Sequence, residues 1–230
     1  MDSVIFQANV IGMLMYIIPA MLLFFYIIKG VEDRLAERKL YLACGIGVVM
    51  GSIAQVIMFL GGTDLYTELA YTSMILVTPF IIMMFMFIGV NLKTFKDEPA
   101  APYYSAGYGL FFGGSVEFWK LLITENRYSE ISVGDIMIIT LFGLGTVIFL
   151  GGAGMWIAYA IRNDNGVRVA GRLAVLFLFL QYLYASALEY VLYGLHDFTL
   201  IIASIIALFV ASGALFHQGY LKLPKIPKNL

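Results

Sequence analysis

Seven long apolar runs alternate with short polar breaks along the chain, at roughly 4–28, 38–60, 66–92, 103–124, 131–161, 168–194 and 198–220. A helix needs about 20 mostly apolar residues to cross the hydrocarbon core of a bilayer. Only helices and closed barrels satisfy their backbone polar groups there, and the period-2 alternation of a barrel strand is absent. The pattern therefore predicts seven transmembrane helices. Short breaks make neighbours in sequence antiparallel neighbours in space and leave no room for a soluble domain. The expected organisation is one seven-helix transmembrane domain, 1–221, followed by a basic tail, 222–230.

Composition supports this reading. The chain is 61% hydrophobic and 13% charged, with a mean hydropathy of +0.90, against about 45–50% and about 25% in soluble domains. The fold class is all-α integral membrane protein. The single cysteine, Cys44, excludes an internal disulfide and a cysteine-based zinc site. The N-terminus has no basic segment of the signal-peptide kind, so the first apolar run is expected to be retained.

The positions of the charges say more than their sum. Lys29, Arg34, Arg38 and Lys39 follow the first run, and Lys93 and Lys96 the third. Arg162, Arg168 and Arg172 surround the break after the fifth, and Lys222, Lys225 and Lys228 follow the seventh. Twelve of the fourteen basic residues thus fall on one side. The positive-inside rule places the N-terminus outside and the C-terminus in the cytoplasm, and this alternation requires an odd number of spans. A multi-pass protein of the plasma membrane is expected. The tail L-K-L-P-K-I-P-K-N-L reads as a solvated end beside anionic lipid headgroups.

Polar residues within the runs mark candidate chemistry. The stretch Tyr71–Phe80 looks like the organising one, because Pro79 kinks a helix that also carries Tyr71, Ser73 and Thr78. Glu117 and Lys120 are three residues apart, on one helical face. Tyr182, Ser186, Glu189, Tyr193 and His196 form one stripe. With Glu68 and Asp135 at helix starts, the acidic groups converge on the outer half, as a polar funnel. Two readings follow: a local Glu117–Lys120 ion pair with Glu189 near the interface, or an entry site for a ligand or ion. Gly47 and Gly51, Gly109 and Gly113, and the glycines from Gly143 to Gly154 suit close helix packing within the bundle, or a dimer face.

Enzymatic chemistry is not expected. His196 and His217 fall at opposite ends, so no metal or haem site forms, and no H-E-x-x-H, G-x-S-x-G or nucleotide-binding glycine loop occurs.

Three features make the chain resemble the microbial (type 1) rhodopsins. Leu23–Gly30 leads through a short charged loop to a second run ending F-L-G-G at Phe59–Gly62. Tyr71, Thr78 and Pro79 also keep the spacing of that family's Y-x-D-W-x-x-T-T-P motif. Ala70, Ser73 and Val77 depart from it, Ser73 standing where the counterion aspartate would be. No lysine lies between Asp197 and Lys222 to carry retinal, and the sixth run lacks W-x-x-Y-P-x-x-W. The resemblance thus implies a rhodopsin-like frame with no covalent retinal and no other cofactor. The expected function is a receptor- or sensor-like binding protein. Its small amphipathic ligand would sit near Tyr71, Ser73, Glu117, Lys120, Tyr182, Ser186 and Glu189, with Pro79 structural. The alternatives are a proton or small-ion channel or transporter, and a structural subunit of a membrane complex. Membrane lipid, a cytoplasmic or membrane protein and a second copy are the partners considered; nucleic acid is not.

Overall fold

The structure, a computed structural model, describes residues 12–62, 68–127, 133–192 and 198–226, and side chains over 12–58, 76–122, 134, 136–183 and 199–226. Eight helices occur among them: α1 (Met13–Ile28), α2 (Glu37–Gly62), α3 (Glu68–Val90), the single turn α4 (Lys93–Lys96), α5 (Ala101–Arg127), α6 (Val133–Ile161), α7 (Gly166–Leu192) and α8 (Phe198–Leu221). No strand is present among the described residues. The long helices fall on the seven apolar runs. Four of them hold segments long and apolar enough to cross a membrane: Glu37–Met58, Ile136–Ile161, Gly166–Leu183 and Thr199–Leu221. With the composition, they make this an integral membrane protein.

The helix around which the others pack is α5, not the proline-bearing α3. From Ala101 to Glu117 every α5 residue except Phe111 is buried. It lies between α2 and α6, while α1 covers a further side. Its small side chains explain this. A Cβ on Gly47 or Gly51 of α2 would overlap the carbonyl oxygens of Tyr108 and Phe112, one helical turn apart on α5. On the opposite side Gly109 abuts the Leu150 carbonyl of α6, and Gly154 abuts that of Ser105. Backbones approach this closely only where side chains are missing. These glycines therefore serve packing inside one bundle. In α3, Pro79 is buried while Leu76, Val77 and Phe80 are exposed, so that helix packs along one side.

At the basic end the connections are tied together. Lys39 pairs with Glu98, the Ala36 N–H donates to the Tyr104 hydroxyl (3.1 Å), and Arg162 donates to the Pro99 carbonyl (3.4 Å). The described part of the tail, 222–226, keeps Lys222 and Lys225 exposed as expected but docks its backbone and Ile226 on the bundle. Tyr103 donates to the Pro224 carbonyl (3.1 Å) and Arg34 to that of Ile226 (2.6 Å), and Ile226 is 2% exposed. A chain of the form L-P-K-I has an apolar residue to bury and carbonyls that no regular structure uses, which suits it to dock on donors. Lys222 lies 4.0 Å above the Trp156 ring, a cation–π contact.

Candidate functional site

The end of α1 opposite the basic loops is not a regular helix. Met13–Ile17 form a π-turn in which the Ile18 N–H donates to the Met13 carbonyl. Pro19 follows at once and cannot donate to Met15, so the ladder changes register before it. This turn carries Tyr16 into the bundle, where it is fully buried. Its ring fills the space that a side chain at Gly143 would take. The Tyr16 hydroxyl makes a long hydrogen bond, 3.5 Å, to the Ile139 carbonyl of α6.

Glu117 of α5 is the acidic neighbour of Tyr16. Its carboxylate is 2% exposed and lies 3.6 Å from the Lys120 ammonium, whose side chain keeps 23% exposure. Lys120 thus keeps part of its stem accessible while its ammonium pairs with a buried carboxylate. Thr140 of α6 completes the group. Its buried hydroxyl lies beside that of Tyr16 but makes no hydrogen bond of good geometry among the described residues. The cluster brings together an acid, an ammonium, a phenol and an unsatisfied hydroxyl from α1, α5 and α6. In so apolar a setting polar contacts are strong, and an unmatched group is costly.

A second network lies on the α2 side of the same α5 turns. The Ser52 and Ser115 hydroxyls are 2.9 Å apart, the Trp119 indole donates to Ser52 (3.0 Å), and both serines reach the Val48 carbonyl. With one proton per hydroxyl these are alternative donations within one network, and together they clamp α2 to α5.

Of the residues expected to line one pocket, the structure joins two, Glu117 and Lys120. Tyr182 is not with them: it is 60% exposed on the outer face of α7. The packed face of α7 is Ala170, Leu173, Ala174, Phe177, Leu180 and Gln181. Tyr182 is one step past Gln181, about 100° round the helix. Tyr182 therefore does not face Glu117. Tyr71 and Ser73 lie on α3, and Ser186 and Glu189 on α7, but all four side chains fall outside the described residues, as do those of Glu68, Asp135 and His196. Sequence reasoning missed Tyr16 and Thr140. Pro19 was the available signal for the first, since a proline inside a span marks a break in the ladder nearby. Nothing in the sequence singles out Thr140.

Compared with protein-family models, with curated proteins and with solved structures, the chain matches none.

Proposed function

We propose that the protein is a seven-span, receptor- or sensor-like membrane protein, N-terminus outside, that binds a small amphipathic ligand at Tyr16, Glu117, Lys120 and Thr140. The observation that carries this reading is the buried Thr140 hydroxyl, which lies next to the Tyr16 phenol without a hydrogen bond of good geometry among the described residues, the same phenol having Glu117 of the Glu117–Lys120 pair as its acidic neighbour. A polar group desolvated without a partner costs roughly 1–3 kcal/mol on mutational scales. A ligand donor or acceptor seated between Thr140 and Glu117 offsets that cost, while Lys120 holds the ligand's other polar end at the open side. The basic loops on the opposite end support the orientation. The site keeps Glu117 and Lys120 of the wider expected pocket and leaves out Tyr182, which is exposed on α7.

The test uses small molecules retained through purification in mild detergent and released on denaturation, read by mass spectrometry. Wild-type protein should release a discrete species at near-stoichiometric yield. The charge-balanced double variant Glu117→Gln/Lys120→Met should release about tenfold less, the loss matching roughly 1.4 kcal/mol of binding. Release of bulk lipid alone by wild type, or an undiminished yield from a folded double variant, refutes the assignment.

A further inference from the structure

A second site lies at the basic end, where α6 hands over to α7, and it rests on nothing in the reading above except that these two helices cross the membrane. A cleft of about 470 Å³ opens there, within the range of roughly 300–1,000 Å³ usual for small-molecule sites. Phe87 and Asn91 at the end of α3, Ile161 at the end of α6 and the turn from Asp164 to Arg168 line it.

Its construction follows from the local sequence. Helix α6 ends in a Schellman turn, with the Asn165 N–H donating to the Ala160 carbonyl (2.9 Å) and the Asp164 N–H to that of Ile161 (3.2 Å). Asp164 takes the left-handed position at φ 55°, which aspartate tolerates better than most residues. Helix α7 starts at once, its first internal bond running from the Val169 N–H to the Asn165 carbonyl (3.0 Å). The amides of Gly166, Val167 and Arg168 have no acceptor among the described residues. A side chain at Gly166 would strike Ile161 and crowd the Phe87 ring. Glycine there keeps an apolar floor directly beneath three free donors.

Two opposite charges stand over this floor. Asp164 and Arg168 are four residues apart, yet neither joins an ion pair among the described residues. Arg168 and the free amides at the positive end of α7 offer donors to an anion, and Asp164 and Asn91, which line the same cleft, offer acceptors to a cation. Both α6 and α7 contain membrane-crossing segments, so their shared end lies at the level of the lipid headgroups. Val167, 74% exposed beside the cleft, is an apolar surface fitted to an acyl chain.

We infer that this cleft binds the headgroup of an aminophospholipid. The phosphate sits on Arg168 and the α7 amides, the primary ammonium on Asp164 and Asn91, and one chain runs past Phe87 and Val167. An anionic headgroup without an amine would leave Asp164 unmatched. A quaternary ammonium has no N–H to donate to Asp164. The lining therefore selects ethanolamine over glycerol and choline.

The full-length protein in detergent is offered phosphatidylethanolamine, phosphatidylcholine and phosphatidylglycerol with the same acyl chains, and retained lipid is read by native mass spectrometry. Wild type should retain the ethanolamine lipid about tenfold over either competitor, the scale of one charge-assisted contact. Arg168→Gln should lose about tenfold of that retention. Asp164→Asn, which keeps a residue tolerant of the left-handed turn, should retain the ethanolamine and glycerol lipids equally. Chain-free glycerophosphoethanolamine in excess should not displace the lipid. Equal retention of the three lipids by wild type, a preference that survives Asp164→Asn, or displacement by the chain-free headgroup each overturns the proposal. Should Arg168→Gln fail to fold, the Asp164→Asn measurement alone decides.

Discussion

The two halves of α5 are packed by different means. From Ala101 to Gly114 it meets α2 and α6 through glycines set against carbonyls, so that main chain touches main chain. From Ser115 to Lys120 it meets α2 through hydroxyls and an indole, and carries an ion pair of its own whose acid neighbours Tyr16 of α1. The first half leaves no room for an added atom at its glycine contacts, and its hydroxyls bond to neighbouring main chain, as Tyr108 does to the Phe85 carbonyl, or, at Ser105, are buried without a partner among the described residues. The second half holds its neighbours at side-chain distance and leaves one hydroxyl unmatched. The closest main-chain contacts lie in one half of the helix, and the proposed ligand site in the other.

The largest effect expected from breaking this contrast is in the glycine half. Gly154→Val drives a branched side chain into the Ser105 carbonyl and should cost about 3 kcal/mol or more, the upper range for overpacking. Loss of the monodisperse folded species in detergent is the expected readout. Gly213→Ala is the matched control, because nothing lies within 4 Å of a Cβ there; it should stay within about 0.5 kcal/mol of wild type. Equal damage from both would mean that close approach at Gly154 is not what makes its substitution costly, since alanine and valine are both better helix formers than glycine.

The centrality of α5 explains how much was legible in the sequence. Apolar runs report which segments can face lipid, so the long helices could be read from hydropathy to within a few residues at most ends. Which helix sits in the middle is a different question. A helix wrapped by others needs small residues on several faces and no lipid-facing stripe. Ser105, Ala106, Gly107, Gly109, Gly113, Gly114 and Ser115 carry that signal in a segment that is less apolar than its neighbours. Pro79 drew attention to α3 because a proline is conspicuous, but a kink shapes one helix and does not place it. The site divides likewise. Glu117 and Lys120 stand out as charges in an apolar run, and their spacing alone pairs them. Tyr16 and Thr140 join them through a register shift in α1 and the packing of α6, which are tertiary facts. Tyr182 was misplaced because a polar stripe shows which residues share a face, not which way that face points.

A smaller effect tests the polar half. Lys120→Met leaves the Glu117 carboxylate buried without its ammonium and should cost about 3 kcal/mol, the lower end for breaking a buried pair, because Lys120 is partly exposed. Adding Glu117→Leu removes the stranded charge and should recover most of the loss in thermal unfolding. Additive losses in the double variant would show that the two residues act separately.

The smallest effect on stability discriminates best between the halves. Thr140→Val exchanges a hydroxyl for a methyl of nearly the same shape, at a position where the hydroxyl has no partner among the described residues. If Thr140 were a packing residue like its glycine neighbours, valine would serve it as well, and nothing but stability would respond. If the hydroxyl is held for a ligand, removing it lifts an unmet desolvation penalty, so the ligand-free protein should be unchanged or more stable by about 1 kcal/mol. The retained small molecule should meanwhile fall several-fold, since its hydrogen-bond partner is gone. Opposite signs in the two measurements are the signature of a functional group that burdens the fold. A destabilised Thr140→Val protein that retains its ligand fully would instead assign the hydroxyl to the fold and return the site to Glu117 and Lys120 alone.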